Sequence, residues 1–316
     1  MALPELLRGR LALPVIAAPM FLVSSAESVV AQCTAGVVGS LPALNARTTE
    51  MLEDWIVGIQ AALAGAASAP DTVVAPFAVN IGIHPANKRV EPDLGVCARH
   101  KVPIVITSLR ASPELVQAVH AYGGIVLHDV TTVRHARKAL EAGVDGLVLV
   151  AAGAGGHGGA LNPMALAGEV RVFYDGLLVL AGAVSSGGDV LAAQAMGCDL
   201  AYMGTRFLAT TETAASAVHK QMVVDSGTAD IVNTAYFSGL PANYLRGSIV
   251  ASGLDPENLP APDGADLGAR GRWKDIWGAG QGAGNVREIL PTRQLVSRLV
   301  DEYRAAACRL LADLQR

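Results

Sequence analysis

Eight times in the first 205 or so residues, a short apolar run is followed by a glycine-rich or polar loop and then a stretch with helical spacing. The runs are Leu13–Ala18, Gly36–Leu41, Val73–Val79, Pro103–Thr107, Gly124–His128, Gly146–Val150, Gly176–Ala181 and Leu200–Met203. Most are apolar at every position rather than at alternate ones. Strands covered on both faces of a parallel sheet read this way. Between them, Glu50–Leu63 places Met51, Leu52, Trp55, Ile56, Ile59 and Leu63 at helical spacing. Pro113–Tyr122 opens with a Ser112 cap and a first-turn proline, Thr131–Ala142 stops at Gly143, and Asp189–Met196 stops at Gly197. Eight strands alternating with helices predict an α/β chain folded as a closed (β/α)8 TIM barrel, with an open doubly wound sheet as the alternative.

After the eighth strand the rhythm stops. Residues 210–290 carry a helix (Ala214–Ser226), a loop-rich stretch with Pro241, Pro256, Pro260 and Pro262, and a glycine segment from Trp277 to Gly284. This region reads as an inserted helical and loop cap over the mouth of a barrel built from residues 1–209. A last helix, Thr292–Leu314 within residues 291–316, packs back on the barrel through Val296, Leu299, Tyr303, Ala306 and Leu310.

Composition narrows the function. Half of the chain (51%) is hydrophobic and only 16% is charged, enough apolar material for one large core. The net charge of −4, with no basic run, gives nucleic acid no footprint. No apolar run reaches the length of a membrane span, and the first ten residues lack a signal-peptide pattern. Four scattered cysteines, with no CxxC spacing, read as free thiols of a cytoplasmic protein. No Cys/His/Asp cluster has metal-ligand spacing, and no nucleophile elbow or P-loop is present.

In such a barrel, chemistry gathers at the C-terminal ends of the strands. Strand 1 ends in Ala18-Pro19-Met20, small enough for a flat ring to lie against. Strand 3 ends in Asn80, an amide able to bond a ring edge. Strand 5 ends in His128 and Asp129. After strand 6, five glycines surround one histidine in the run 151–159, with Gly155 and Gly156 directly before His157. The glycines admit close backbone approach, and an imidazole can move a proton near neutral pH. Ala181-Gly182-Ala183 after strand 7 and Gly204-Thr205 after strand 8 offer backbone N–H groups of the kind that bind phosphate. Together these point to a planar, phosphate-bearing cofactor with His157 over its ring. Gln281, among glycines, is a candidate contact to substrate, as is His128. Trp273 and Trp277 read as packing, Arg206 as half of an ion pair, and His84, His100, His120, His135 and His219 as surface or packing residues.

Three segments make the chain recognisable: AAGAGGHGG (151–159), LAGAVSSGGDVLAAQAMGCDLAYMGTRFLATTE (180–212) and WGAGQGAG (277–284). They resemble the nitronate monooxygenase family, also called 2-nitropropane dioxygenase-like, and the resemblance runs over nearly the whole chain. It implies non-covalently bound FMN. The phosphate falls on Ala181, Gly182, Ala183, Gly204 and Thr205. Ala18, Pro19, Met20, Asn80, Asp129, Gly155 and Gly156 lie around the isoalloxazine, and His157 is the catalytic residue. The implied reaction oxidises an alkyl nitronate with O2 to a carbonyl compound and nitrite, beginning with electron transfer from the nitronate to FMN. Where a neutral nitroalkane is accepted, His157 removes the α-proton. The implied partners are a small-molecule substrate and O2, in a monomer or homodimer. The chain departs from related flavin barrels at strand 5, where Asp129 stands in place of a common lysine. The same barrel and histidine loop also occur in FMN-dependent NAD(P)H reductases of enoyl-thioester or quinone type and in other flavin-dependent biosynthetic oxidoreductases, so these chemistries stay open.

Overall fold

The computed structural model describes residues 3–69, 72–259 and 275–316. Eight parallel strands form one sheet: β1 (Val15–Ala17), β2 (Gly39–Pro42), β3 (Phe77–Gly82), β4 (Ile104–Ser108), β5 (Ile125–Val130), β6 (Gly146–Val150), β7 (Leu177–Ala181) and β8 (Leu200–Met203). Each pairs with the next, and β8 pairs with β1 through Val15↔Ala201, Ile16↔Tyr202 and Ala17↔Met203. Between β1 and β2 the ring closes by two bonds: Ala17 N–H donates to Val38 O (2.8 Å), and Val38 N–H donates to Val15 O (3.0 Å). The fold is the (β/α)8 TIM barrel.

Alternation along each strand sorts the side chains. Ile16, Ile104, Ile106, Leu127, Val148, Val179 and Leu200 fill the lumen, and Leu7 from the N-terminal turn joins them as a plug. Val15, Val105, Val126, Leu147, Leu149, Leu178 and Leu180 face the helices in a second, larger cluster. Burying both faces explains why the sequence shows solid apolar runs rather than alternating ones.

The helices α1 (Ala26–Thr34), α2 (Thr49–Ala67), α3 (Val90–Arg99), α4 (Pro113–His120), α5 (Val133–Glu141), α6 (Pro163–Arg171) and α7 (Gly187–Ala195) cover the strands. Their starts are chemically marked. Ser112 accepts from Leu115 N–H ahead of Pro113, and Ser186 and Asp189 form a reciprocal capping box. The cap of α5 is Thr132, one residue after the expected Thr131. Several predicted strands begin two to four residues too early, because the approach to each strand is as apolar as the strand itself.

Beyond β8 come a short α8 (Thr205–Leu208), α9 (Ala217–Asp225), an antiparallel hairpin of β9 (Ile231–Thr234) and β10 (Ala242–Leu245), α10 (Arg246–Ala251) and the closing α11 (Thr292–Leu314). The hairpin is absent from the sequence reading. Its strands are only four residues long, and they are not marked by a tight Asn-Gly-type turn. Helix α11 lies against α7 and α1. A Cβ on Gly187 would meet Leu299 O at 2.2 Å, so the two helices touch backbone to backbone there.

Candidate active site

The strand-end residues singled out in the sequence meet at one end of the barrel. Ala18 N–H donates to Met203 O, and a Cβ on Gly204 would lie 3.6 Å from Ala18 Cβ and 3.8 Å from Met20 Sδ. The loops after β1 and β8 therefore share a wall. Pro19 stands between Ala18 and Met20 in that wall.

His157 projects at the mouth from the loop after β6, and Gly156 before it takes a left-handed φ of 68°. The loop is gripped from the 210–290 region. Gly156 and Asn243 on β10 exchange backbone bonds (3.3 and 2.9 Å), and the Asn243 amide donates to Ala154 O (2.6 Å). Gln281 N–H donates to Gly153 O (2.9 Å). A Cβ on Gly155 would meet Gly280 N at 2.8 Å, and one on Gly280 would meet Gly153 O at 2.5 Å. Gly155 and Gly280 are thus required by protein backbone meeting protein backbone, a different reason from the ligand approach inferred from sequence.

The imidazole of His157 has a defined partner. Its Nε2 lies 2.8 Å from Ser238 Oγ. The Ser238 hydroxyl donates to Leu240 O (3.0 Å), and the Tyr244 hydroxyl donates to Ser238 Oγ (3.4 Å). With its one proton directed to Leu240, the serine oxygen is placed to accept from Nε2–H and so orients the ring. Burial disfavours the imidazolium and holds the imidazole below the ordinary histidine value, which favours the basic form. Ser238 is itself buried, beside Tyr244 and Phe237, whose rings meet edge to face at 5.0 Å. Nothing in the sequence around Phe237-Ser238-Gly239 marks it, since its partner is 81 residues away.

The remaining candidates divide. Gly182 (φ 133°) and Ala183 (φ 56°) turn the chain sharply after Ala181. Their N–H groups, and those of Gly204 and Thr205, donate to no acceptor among the described residues. Most donors at the start of α7 are already taken. Asp189 takes the N–H groups of Ser185 and Ser186 (both 2.9 Å), and Glu302 takes that of Gly187 (2.8 Å). An anion at this end therefore has the two short turns at its disposal, not the longer helix. Thr205 Oγ1 is occupied by Gly280 N–H (2.8 Å). In the lumen, the Asn80 amide donates to Ser108 Oγ (2.8 Å), and the Ser108 hydroxyl donates to Asp129 Oδ2 (2.7 Å). Ser108, at the tip of β4, belongs with Asn80 by the same strand-end logic, which the sequence reading applied to only some strands.

His128 lies apart from the other strand-end candidates. It shares the parity of Val126 and Val130, points to the helix layer, and is 4% exposed with Nδ1 2.7 Å from Thr107 Oγ1. Period-two alternation turns Asp129 into the lumen and His128 out of it, away from the other candidates. Arg206 is buried without a direct ion pair among the described residues, in the field of Glu302 and Glu288. Trp277 stacks on His219 at 4.7 Å, a packing role, and Trp273 lies outside the described residues. A cavity of about 820 Å³ between α9 and α10 contains none of the candidate residues. No group of three or more His, Cys, Asp or Glu suited to a metal occurs among the described residues. Burial pushes the Cys33 and Cys97 thiols up to about 12, which leaves them inert. No helix among the described residues is long and apolar enough to cross a membrane.

Comparison with known proteins agrees with this fold. A family model described as nitronate monooxygenase matches residues 9–302. The chain is 28% identical to the nitronate monooxygenase of Paraburkholderia phytofirmans, over 92% of each chain. It is similar in structure to nitroalkane oxidase from Streptomyces ansochromogenes, with a TM-score of 0.80 and 25% identity over 96% of this chain and 100% of that one. It resembles FabK from Thermotoga maritima with a TM-score of 0.77, at 23% identity over 98% and 97% of the two chains, a likeness of fold alone.

Proposed function

The chain belongs to the nitronate monooxygenase family of flavin-dependent oxidoreductases, and from that premise we propose that it oxidises alkyl nitronates with O2, through bound FMN, to a carbonyl compound and nitrite. The observation that carries the reading is a His157 oriented by Ser238 at the same barrel end as four backbone N–H groups without an acceptor among the described residues. One group suits proton transfer at a substrate carbon, and the other suits a phosphate.

The residues present fit the cofactor. The amides of Gly182, Ala183, Gly204 and Thr205 would hold the phosphate, and Ala18, Pro19, Met20 and Asn80, with the backbone of Gly155 and Gly156, would border the ring. When bound, the flavin accepts electrons from the substrate and passes them to O2. The protein's own part is positional. Ser238 fixes the imidazole of His157, and the clamp of Asn243 and Gln281 fixes the loop that carries it. For a neutral nitroalkane, the imidazole of His157 removes the α-proton. An anionic nitronate arrives without that proton, and His157 then serves only to position it. Gln281 stands at the mouth beside the same loop, placed to bond the nitro oxygens.

The test is anaerobic mixing of the purified protein with propionate 3-nitronate or with NADH and NADPH, followed by visible absorbance. Reduction by the nitronate and none by the nicotinamides supports the proposal. Rapid bleaching by a nicotinamide with no response to the nitronate overturns it in favour of a reductase on the same barrel.

A further inference from the structure

At the C-terminal end of the lumen, four polar side chains face one another on strands whose other inward positions are apolar. Asn80, Ser108 and Asp129 form a chain of hydrogen bonds across β3, β4 and β5 (2.8 and 2.7 Å). Tyr202 enters from β8, in the inward row with Leu200. The chain stops at Asp129. Its Oδ1 is buried and has no hydrogen-bond partner among the described residues, and the same is true of the Tyr202 hydroxyl. A carboxyl kept for stability is paired with a cation or has both oxygens satisfied. This one has neither. Only neutral Asn80 and Ser108 support it, and His128, its neighbour on β5, points the other way. The titratable group facing it across the lumen is Tyr202. Burial raises the carboxyl to about 6, against a smaller lowering by the Ser108 bond, so its charge changes close to neutral pH.

Resting on the flavin reading above, we propose that Asp129, aimed by Ser108 and Asn80, is a positioning group for the redox centre that takes up a proton from solvent when the flavin is reduced. Two electrons enter the flavin from the donor. Added electron density on a flavin held at this barrel end would disfavour a carboxylate in the lumen, so one solvent proton would bind to Asp129 and leave again on reoxidation. The sign follows from linkage: the reduced state binds this proton more tightly than the oxidised state. Reduction is therefore easiest below the oxidised-state pKa of Asp129. It becomes progressively harder as pH rises from there to the reduced-state pKa. A lysine at this position would oppose that trend, since its charge favours the reduced ring at every pH near neutrality.

The experiment is a reductive titration of the flavin-loaded holoprotein against indicator dyes, from about pH 5 to 8.5, for wild type, Asp129→Asn and Ser108→Ala. Wild type is expected to lose an additional tenfold in the reduced-to-oxidised ratio per pH unit above its bend, relative to Asp129→Asn; this is about 30 mV per unit for a two-electron couple. Asp129→Asn, isosteric and always neutral, shows no such bend and stays easier to reduce at high pH. Ser108→Ala keeps the bend but moves it to higher pH, because it removes a bond that favours the carboxylate. Parallel curves for wild type and Asp129→Asn in yellow protein overturn the proposal alone. Protein that takes up no flavin overturns the flavin reading, and the proposal with it.

Discussion

Replacing Gly280 by alanine adds one methyl group, and the structure dictates where that methyl goes. The new Cβ would sit 2.5 Å from Gly153 O, 2.8 Å from Gly155 N and 3.2 Å from Ala154 C, all backbone atoms of the loop that carries His157. Ordinary contact begins near 3.4 Å, so the loop must retreat by about 0.9 Å, since van der Waals repulsion at the shorter distance is steep. Gly280 has φ −94°, a conformation open to alanine, so the strain comes from crowding and not from the backbone angle. Overpacking of this kind costs about 1–3 kcal/mol. A displacement of that size at a catalytic side chain lowers turnover by about 10²-fold. Gly58→Ala is the control. It lies exposed inside α2, its Cβ would meet nothing within 4 Å, and it should raise stability by about 0.5–1 kcal/mol with turnover unchanged. The assays are urea unfolding and steady-state nitronate oxidation. Full turnover in Gly280→Ala, with an unchanged unfolding midpoint, would refute the idea that backbone contact between residues 153–155 and 280 holds His157 in place.

Three further outcomes are expected. His157→Ala retains flavin, checked by absorbance after gel filtration, but loses about two to four orders of magnitude in turnover of a neutral nitroalkane; equal turnover removes His157 from proton transfer. Because burial lowers the His157 pKa and the base must be neutral, kcat/KM for a nitroalkane should fall as pH drops through a value below the ordinary histidine range, and Ser238→Ala should displace that limb; a limb that stays fixed in the serine variant assigns it to another group. Arg171→Met should destabilise the fold by about 3 kcal/mol in urea unfolding, because it strips the cation from half-buried Asp199 (2.7 Å) and the donors from the carbonyls of Tyr174, Gly176 and Gly197.

The barrel was legible in the sequence because its signal is local. A strand buried on both faces must be apolar throughout, and most of the helices that cover the barrel announce their start with a capping side chain, as Ser112 and Ser186 do. Candidate residues at strand ends were legible for the same reason: Asn80, Ala181 and Gly204 follow directly from where a strand stops. Direction across a strand was harder. His128 and Asp129 are adjacent, and an all-apolar run carries no alternation from which to read which of the two faces the lumen. What the sequence hid entirely was contact at long range. Ser238 and Asn243 reach the histidine loop from 81 and 89 residues away, out of a hairpin too short to announce itself.

That hairpin bears on how such a protein can diversify. Residues that border the mouth of a barrel are ordinarily free to be exchanged, because the strands beneath do not depend on them. Here the segment over the mouth also holds the loop beneath it, since Asn243 grips Ala154 and Gly156 while Ser238 holds the ring of His157. A graft that brought in another relative's 210–290 segment without its matching 151–159 loop would leave the imidazole without its serine and the loop without its strand. Selectivity and reactivity are therefore inherited together, and a library aimed at new substrates should vary the two segments as one cassette.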